Sequence, residues 1–174
     1  IFGLELRYHK QDEVEVIIPH IANPIGITTV KLAGQRVDWN ADAFRAQLVK
    51  LTDASERTAT LDLLDFIWRD SDELVYGHGQ EGALGFRAGV GNASISIFTY
   101  YTTGAIGLNW LSLRTKASSP ALETFADSMA VVHGFETIDV EKSWQQFHTR
   151  DTLMDEVSRE EFKNAMLMLQ GSLR

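Results

Sequence analysis

Residues 94–113 place the strongest constraint on the fold. Ile95, Ile97, Thr99 and Tyr101 alternate with Ser94, Ser96, Phe98 and Tyr100. Such a β-branched and aromatic run suits a pleated, half-buried strand. Thr102-Thr103-Gly104 then supplies a turn, with Gly104 free to take a positive φ. The return strand is expected to put Ile106, Leu108 and Trp110 on one face, and Gly107, Asn109 and Leu111 on the other. One face of this hairpin is strongly apolar and requires a layer of helices over it.

Upstream, residues 71–93 read as a strand, a glycine-rich loop, a short strand and a turn. The loop is Tyr76-Gly77-His78-Gly79-Gln80-Glu81-Gly82. Its spacing invites a phosphate cradle, but such a cradle needs a helix directly after the glycines to aim amide N–H groups at the anion. Here Ala83-Leu84-Gly85-Phe86-Arg87 reads as a strand, and no Gly-Lys-Ser/Thr ending follows. The simpler reading is a tight link between two strands.

Helical patterns lie on both sides of this region. Asn40 caps a predicted helix to about residue 51, with Phe44, Leu48 and Leu51 on one face. Ser55 opens a second to about residue 69, striped by Leu61, Leu64 and Trp68. Ser118-Ser119-Pro120 starts a third, with Pro at the first helical position and Gly134 as its stop. Residues 135–140 read as a short extended segment. Ser158 and Glu161 form a capping box for the last helix, with Val157 and Phe162 as staple, and Gly171 ends it.

The first 36 residues differ. Phe2, Leu4 and Leu6 alternate with polar neighbours, residues 9–12 read as a turn, and Val14, Val16 and Ile18 alternate again, which predicts an N-terminal β-hairpin. Pro19, Pro24 and Gly26 break regularity, so residues 19–37 are expected to be a linker with an extended piece at 27–32. The expected architecture is therefore α+β: a hairpin and linker over 1–36, then a domain over 37–174. In that domain an antiparallel sheet of about four strands carries helices on one side. The chain opens at Ile1 directly into a strand, which suggests a start inside a longer protein.

Charge and composition narrow the function classes. The net charge of −8 opposes non-specific nucleic-acid binding, which needs clustered Lys and Arg, and Arg57, Arg69, Arg87 and Arg114 are scattered. Without cysteine there is no disulfide, zinc-finger or thiol chemistry, which fits a cytoplasmic location. No apolar run reaches the roughly 20 residues that span a bilayer.

No catalytic constellation is apparent. The five histidines show no metal-ligand spacing, and no Gly-x-Ser-x-Gly elbow occurs. Glu13-Val14-Glu15-Val16 lacks the lysine of a metal-nuclease strand, and the arginine of Glu5-Leu6-Arg7 is a poor substitute for it. No cofactor or metal is expected. The residues singled out for binding ligand or nucleic acid are His78, Gln80, Glu81, Arg87, Tyr100 and Arg114. Exposed aromatics would serve as base-stacking platforms.

Phe2-Gly3-Leu4-Glu5-Leu6-Arg7-Tyr8 and the later Ile17-Ile18-Pro19 resemble the end of the nuclease-like domain in a group of uncharacterised bacterial proteins. In those proteins a PD-(D/E)XK nuclease-like fold is followed by an α+β accessory domain, which this chain resembles from about Val37 onward. The marks are the aromatic and glycines of residues 76–82, the hairpin of 95–113, Lys142-Ser143-Trp144 and a final amphipathic helix. Gln145 departs from the pattern, which has Pro there. The resemblance implies that any nuclease part precedes Ile1 and that this chain is a non-catalytic domain contacting DNA or a protein partner. Homodimerisation through the hairpin edge is also open. The alternatives are a small-ligand module using the glycine-rich loop, or a small enzyme using His78 with Glu81 or Arg87.

Overall fold

The computed structural model describes the backbone of residues 3–11, 14–22, 37–48 and 53–174, and the side chains of 37–48 and 53–174. The chain divides into two units, 1–34 and 35–174.

The first unit is an antiparallel pair, β1 (Gly3–Gln11) and β2 (Val14–Ala22), in register from Gly3 opposite Ala22 to Gln11 opposite Val14. The strands are longer than the alternation alone implied: residues 9–11 continue β1, and Pro19 lies within β2, opposite Leu6. A two-stranded sheet has only edge strands, so a residue without an N–H is tolerated there. Residues 19–22 of the expected linker are therefore strand, and residues 23–36, with the extended piece at 27–32, lie outside the described residues.

The second unit begins with α1 (Ala41–Leu48) and α2 (Ala54–Asp70). Asn40 Oδ1 accepts the Ala43 N–H at 2.9 Å, and Asp53 Oδ1 accepts those of Ser55 and Glu56 at 2.7 and 3.0 Å. Each side chain satisfies amides that the first turn leaves open. Then follow β3 (Val75–Tyr76), β4 (Ala83–Val90), β5 (Ala93–Tyr101), β6 (Ala105–Leu108), α3 (Trp110–Arg114), α4 (Ser119–Ala130), β7 (Gln145–His148), α5 (Thr149–Thr152) and α6 (Glu156–Leu173). The five strands form one antiparallel sheet in chain order, β3-β4-β5-β6-β7.

Rows of paired residues cross this sheet. One row is Tyr76, Leu84, Tyr100, Ile106 and Phe147; the next is Phe86, Phe98, Leu108 and Gln145. These rows form the core face. Phe44 of α1 meets Tyr76, Phe66 of α2 stacks on Phe86 at 4.9 Å, and Phe162 of α6 meets Phe98 edge-on at 5.2 Å. The helices therefore cover one side, as the apolar face of the hairpin required.

Strict alternation fails inside β5. Phe86 pairs with Phe98, but Arg87 pairs with Ser96, so Ile97 is an extra residue in a β-bulge. The bulge reverses the parity and brings Ile95, opposite Ala88, to the same face as Phe98 and Tyr100. Four further expectations need correcting. The return strand stops at Leu108, because Asn109 Oδ1 accepts the Ser112 N–H and caps α3, so Trp110 is helical. Residues 135–140 are turns rather than a strand, and the fifth strand lies at Gln145–His148. Asp155, not Ser158, caps α6; its Oδ1 accepts the Ser158 N–H at 2.8 Å. Finally, α6 runs through Gly171 to Leu173. Buried Leu173, and Gln170 donating to Asp70 O, hold its last turn.

Gln145, the departure from the resembled pattern, is a buried hub. Its Oε1 accepts Trp110 Nε1–H and the Asp139 N–H, and its Nε2 donates to Thr137 O. Between the helices, Lys163 donates to Asp62 at 2.7 Å and Arg159 to its other oxygen at 2.9 Å. Burial alone would push the Asp62 carboxyl up. The hydrogen bonds and charges of Lys163 and Arg159 outweigh burial and hold it below the usual range.

Candidate functional site

The face of the sheet away from the helices has a different chemistry. Its central row is Val75, Gly85, Thr99, Gly107 and Gln146, one residue from each strand. The flanking pairs are Arg87 with Ser96 and Ala83 with Tyr101. Small residues make this face shallow along its middle. The large side chain rising from it is Trp144, just before β7. Its ring lies so close over Gly107 that an added Cβ would fall 1.9 Å from Trp144 Cζ2. Any side chain at this position would have to displace the ring. The indole remains 39% exposed, and Leu111, whose N–H donates to Ser143 O beside it, is 56% exposed. Val75, at the other end of the row, is 38% exposed.

The residues singled out from sequence divide into three groups. His78, Gln80 and Glu81 are exposed on the β3–β4 connection. That loop is tied down by its own backbone and its neighbours: Gly77 N–H donates to Ala83 O, Thr102 N–H to Gly82 O, and Trp39 Nε1–H to Gly79 O at 2.9 Å. This is the strand-link reading of the glycines. Arg87 and Arg114 use their donors internally. Arg87 Nε donates to Ser94 Oγ at 2.9 Å and lies 3.1 Å from Glu73 Oε2, and its Nη2 donates to Ser94 O. Arg114 donates to the Val140 and Lys142 carbonyls. Tyr100 is fully buried on the core face. The structure does not bring these six residues together, and neither arginine stands beside an exposed aromatic as a free cation.

Tyr100 does belong to a polar cluster that the sequence did not reveal. Its hydroxyl lies 2.8 Å from Thr60 Oγ1, and Thr149 Oγ1 donates to Gly104 O at 3.0 Å. Burial, and secondarily the Glu56 charge, push the Tyr100 phenol up, so it stays protonated. Glu56 Oε1 lies 3.8 Å from His148 Nδ1, too far for a hydrogen bond, and Arg150 Nη2 lies 3.4 Å from His148 Nε2. His148 Nδ1 is buried and has no hydrogen-bond partner among the described residues. Gly104, at φ +84°, allows this approach: a Cβ there would fall 2.7 Å from His148 Cε1 and 3.1 Å from Glu56 Oε1. The cluster fastens the β5–β6 turn to the start of α2 and the end of β7. The hydroxyls of Thr60, Tyr100 and Thr149 are held within it by hydrogen bonds. An open cleft of about 500 Å³ beside His148 is lined by Gln146, Phe147, Asp151 and Thr152 among others.

Glu56 and His148 have no shared local signal in the chain, because only the fold brings them together. Trp144 carried a weak signal in its Lys-Ser-Trp setting. Among the described residues no group of three or more His, Cys, Asp and Glu is arranged to hold a metal ion, and no helix is long and apolar enough to cross a membrane. No family model, curated protein or solved structure matches the chain.

Proposed function

We propose that this chain is a non-catalytic interaction domain that receives a protein partner on the sheet face carrying Trp144. The observation that supports the reading is the half-exposed indole held on Gly107, at one end of a shallow row that runs to exposed Val75. Exposed aromatics on a rigid support are the side chains that anchor protein interfaces. Charge selects the occupant. Glu73 and Arg87 pair off at this face, and the Glu81 charge acts on Tyr101, whose phenol burial first and Glu81 second push up. With a net charge of −8 and with Arg87 and Arg114 bound internally, the face suits a neutral or basic protein segment and repels a polyanion. This agrees with the accessory-domain role that the resemblance implies, in its protein-contacting form, working in the cytoplasm beside a nuclease-like part.

A titration of labelled single- and double-stranded DNA, followed by fluorescence anisotropy at low and moderate salt, tests the choice of partner class. The reading predicts no salt-sensitive binding at tens of micromolar protein. Salt-sensitive binding that Trp144→Ala abolishes would overturn it in favour of nucleic acid on the same face.

A further inference from the structure

On the helical layer, α4 and α6 lie side by side, with the start of α4 against the end of α6. A groove of about 210 Å³ opens there, lined by Pro120, Ala121, Phe125, Met168 and Leu169, with Thr124 and Ser172 at its edges. The lining is almost wholly apolar, and Met168 is 43% exposed. Helical spacing extends the groove. On α6, Val157, Glu161, Asn164 and Met168 form one stripe; on α4, Pro120, Thr124 and Asp127 form another. Because the helices are antiparallel, Asp127 and Glu161 lie at the same end, away from the apolar hollow. Both are exposed, and neither enters an ion pair among the described residues.

We infer that this groove docks a basic amphipathic helix of a partner protein. One apolar side chain fills the hollow at Met168, and a Lys or Arg about two turns away meets Asp127 and Glu161. The spacing follows from the seven-residue step between Glu161 and Met168, about 10 Å at 1.5 Å per residue, because a parallel or antiparallel helix matches it residue for residue. The charge complementarity follows from two exposed carboxylates with no ion pair among the described residues, about two turns along the same stripes from an apolar hollow that a helix side chain would dry. The inference goes beyond the sheet-face reading and uses a separate surface, so the two fail separately.

The test is a titration, read by peptide fluorescence anisotropy, of a synthetic peptide of about 14 residues that pairs Leu and Lys two turns apart on one helical face. A scrambled peptide of identical composition serves as control. The expected result is binding that weakens with salt, is lost about tenfold with the scrambled peptide, and falls similarly for Met168→Gln and for Glu161→Lys. Both substitutions are at exposed positions and leave Trp144 and the sheet untouched. Equal binding of the two peptides, or binding indifferent to both variants, would overturn the inference. Self-association in sedimentation that Met168→Gln abolishes would overturn it as well, assigning the groove to a second copy of the chain.

Discussion

The two faces of the five-stranded sheet share the same strands yet have opposite composition. The core face carries Leu84, Phe86, Phe98, Tyr100, Ile106 and Leu108, all fully buried. The other face, one residue along each strand, carries Gly85, Thr99, Gly107 and Gln146 with Trp144 laid across it. On the first face volume is dictated by what the helices must fill. On the second nothing in the helical layer requires an indole, and Trp144 is nonetheless seated on a glycine whose missing side chain leaves room for its ring. The contrast separates side chains that make the fold from one that the fold presents.

The sharpest way to break the comparison is to truncate neighbouring residues on opposite faces. Phe98 stacks near Phe86 at 5.4 Å and meets Phe162 at 5.2 Å. Phe98→Ala is expected to cost about 3–5 kcal/mol in urea unfolding, whereas Thr99→Ala stays within about 0.5 kcal/mol. Comparable losses at both would show that the second face is as tightly built as the first. Next in size is Gly107→Ala, which drives a methyl into the Trp144 ring and is expected to cost about 1–3 kcal/mol. Most of that cost should disappear in the Trp144→Ala background, because the nearest atoms to the added methyl all belong to that ring; strict additivity in the double-mutant cycle would contradict it.

Much of this division was legible in the sequence, and the exceptions have physical causes. Alternation located β5 and its turn, and helical spacing located α1, α2, α4 and α6, because burial of one face writes a period into the chain. The bulge at Ile97 was not legible: Ile95 and Ile97 have one parity, Phe98 and Tyr100 the other, and only pairing with β4 shows which residue is extra. Asn109 could have been read as a helix cap, but the apolar alternation through Trp110 masked it. The edge strand β7 has too little apolar pattern to announce itself. The Glu56–His148 approach depends on a close contact across Gly104 that no local spacing encodes.

A smaller effect concerns the helical layer that covers the first face. Because Lys163 and Arg159 hold the Asp62 carboxyl below its ordinary value, it adds stability that is present above the unfolded-state pKa of about 4 and is lost as the pH falls through the lower folded-state value. With that carboxylate 39% exposed, solvent screening limits the pair to about 1 kcal/mol or less. Asp62→Asn should therefore lower stability slightly at neutral pH and flatten the acid limb of the curve; an unchanged acid limb would assign acid sensitivity elsewhere. Trp144→Ala is expected to cost less in the same unfolding assay than Phe98→Ala, since Trp144 keeps 39% of its surface in solvent while Phe98 is fully buried.

The most direct test of the central claim is site-specific photo-crosslinking in cells. A benzophenone amino acid is placed at position 144, and for comparison at Asp65 on α2, whose side chain is 66% exposed. The account predicts a discrete protein adduct from position 144, none from position 65, and competition by the wild-type chain but not by Trp144→Ala. Equal adducts from both positions, or competition by Trp144→Ala as effective as by the wild type, would contradict it.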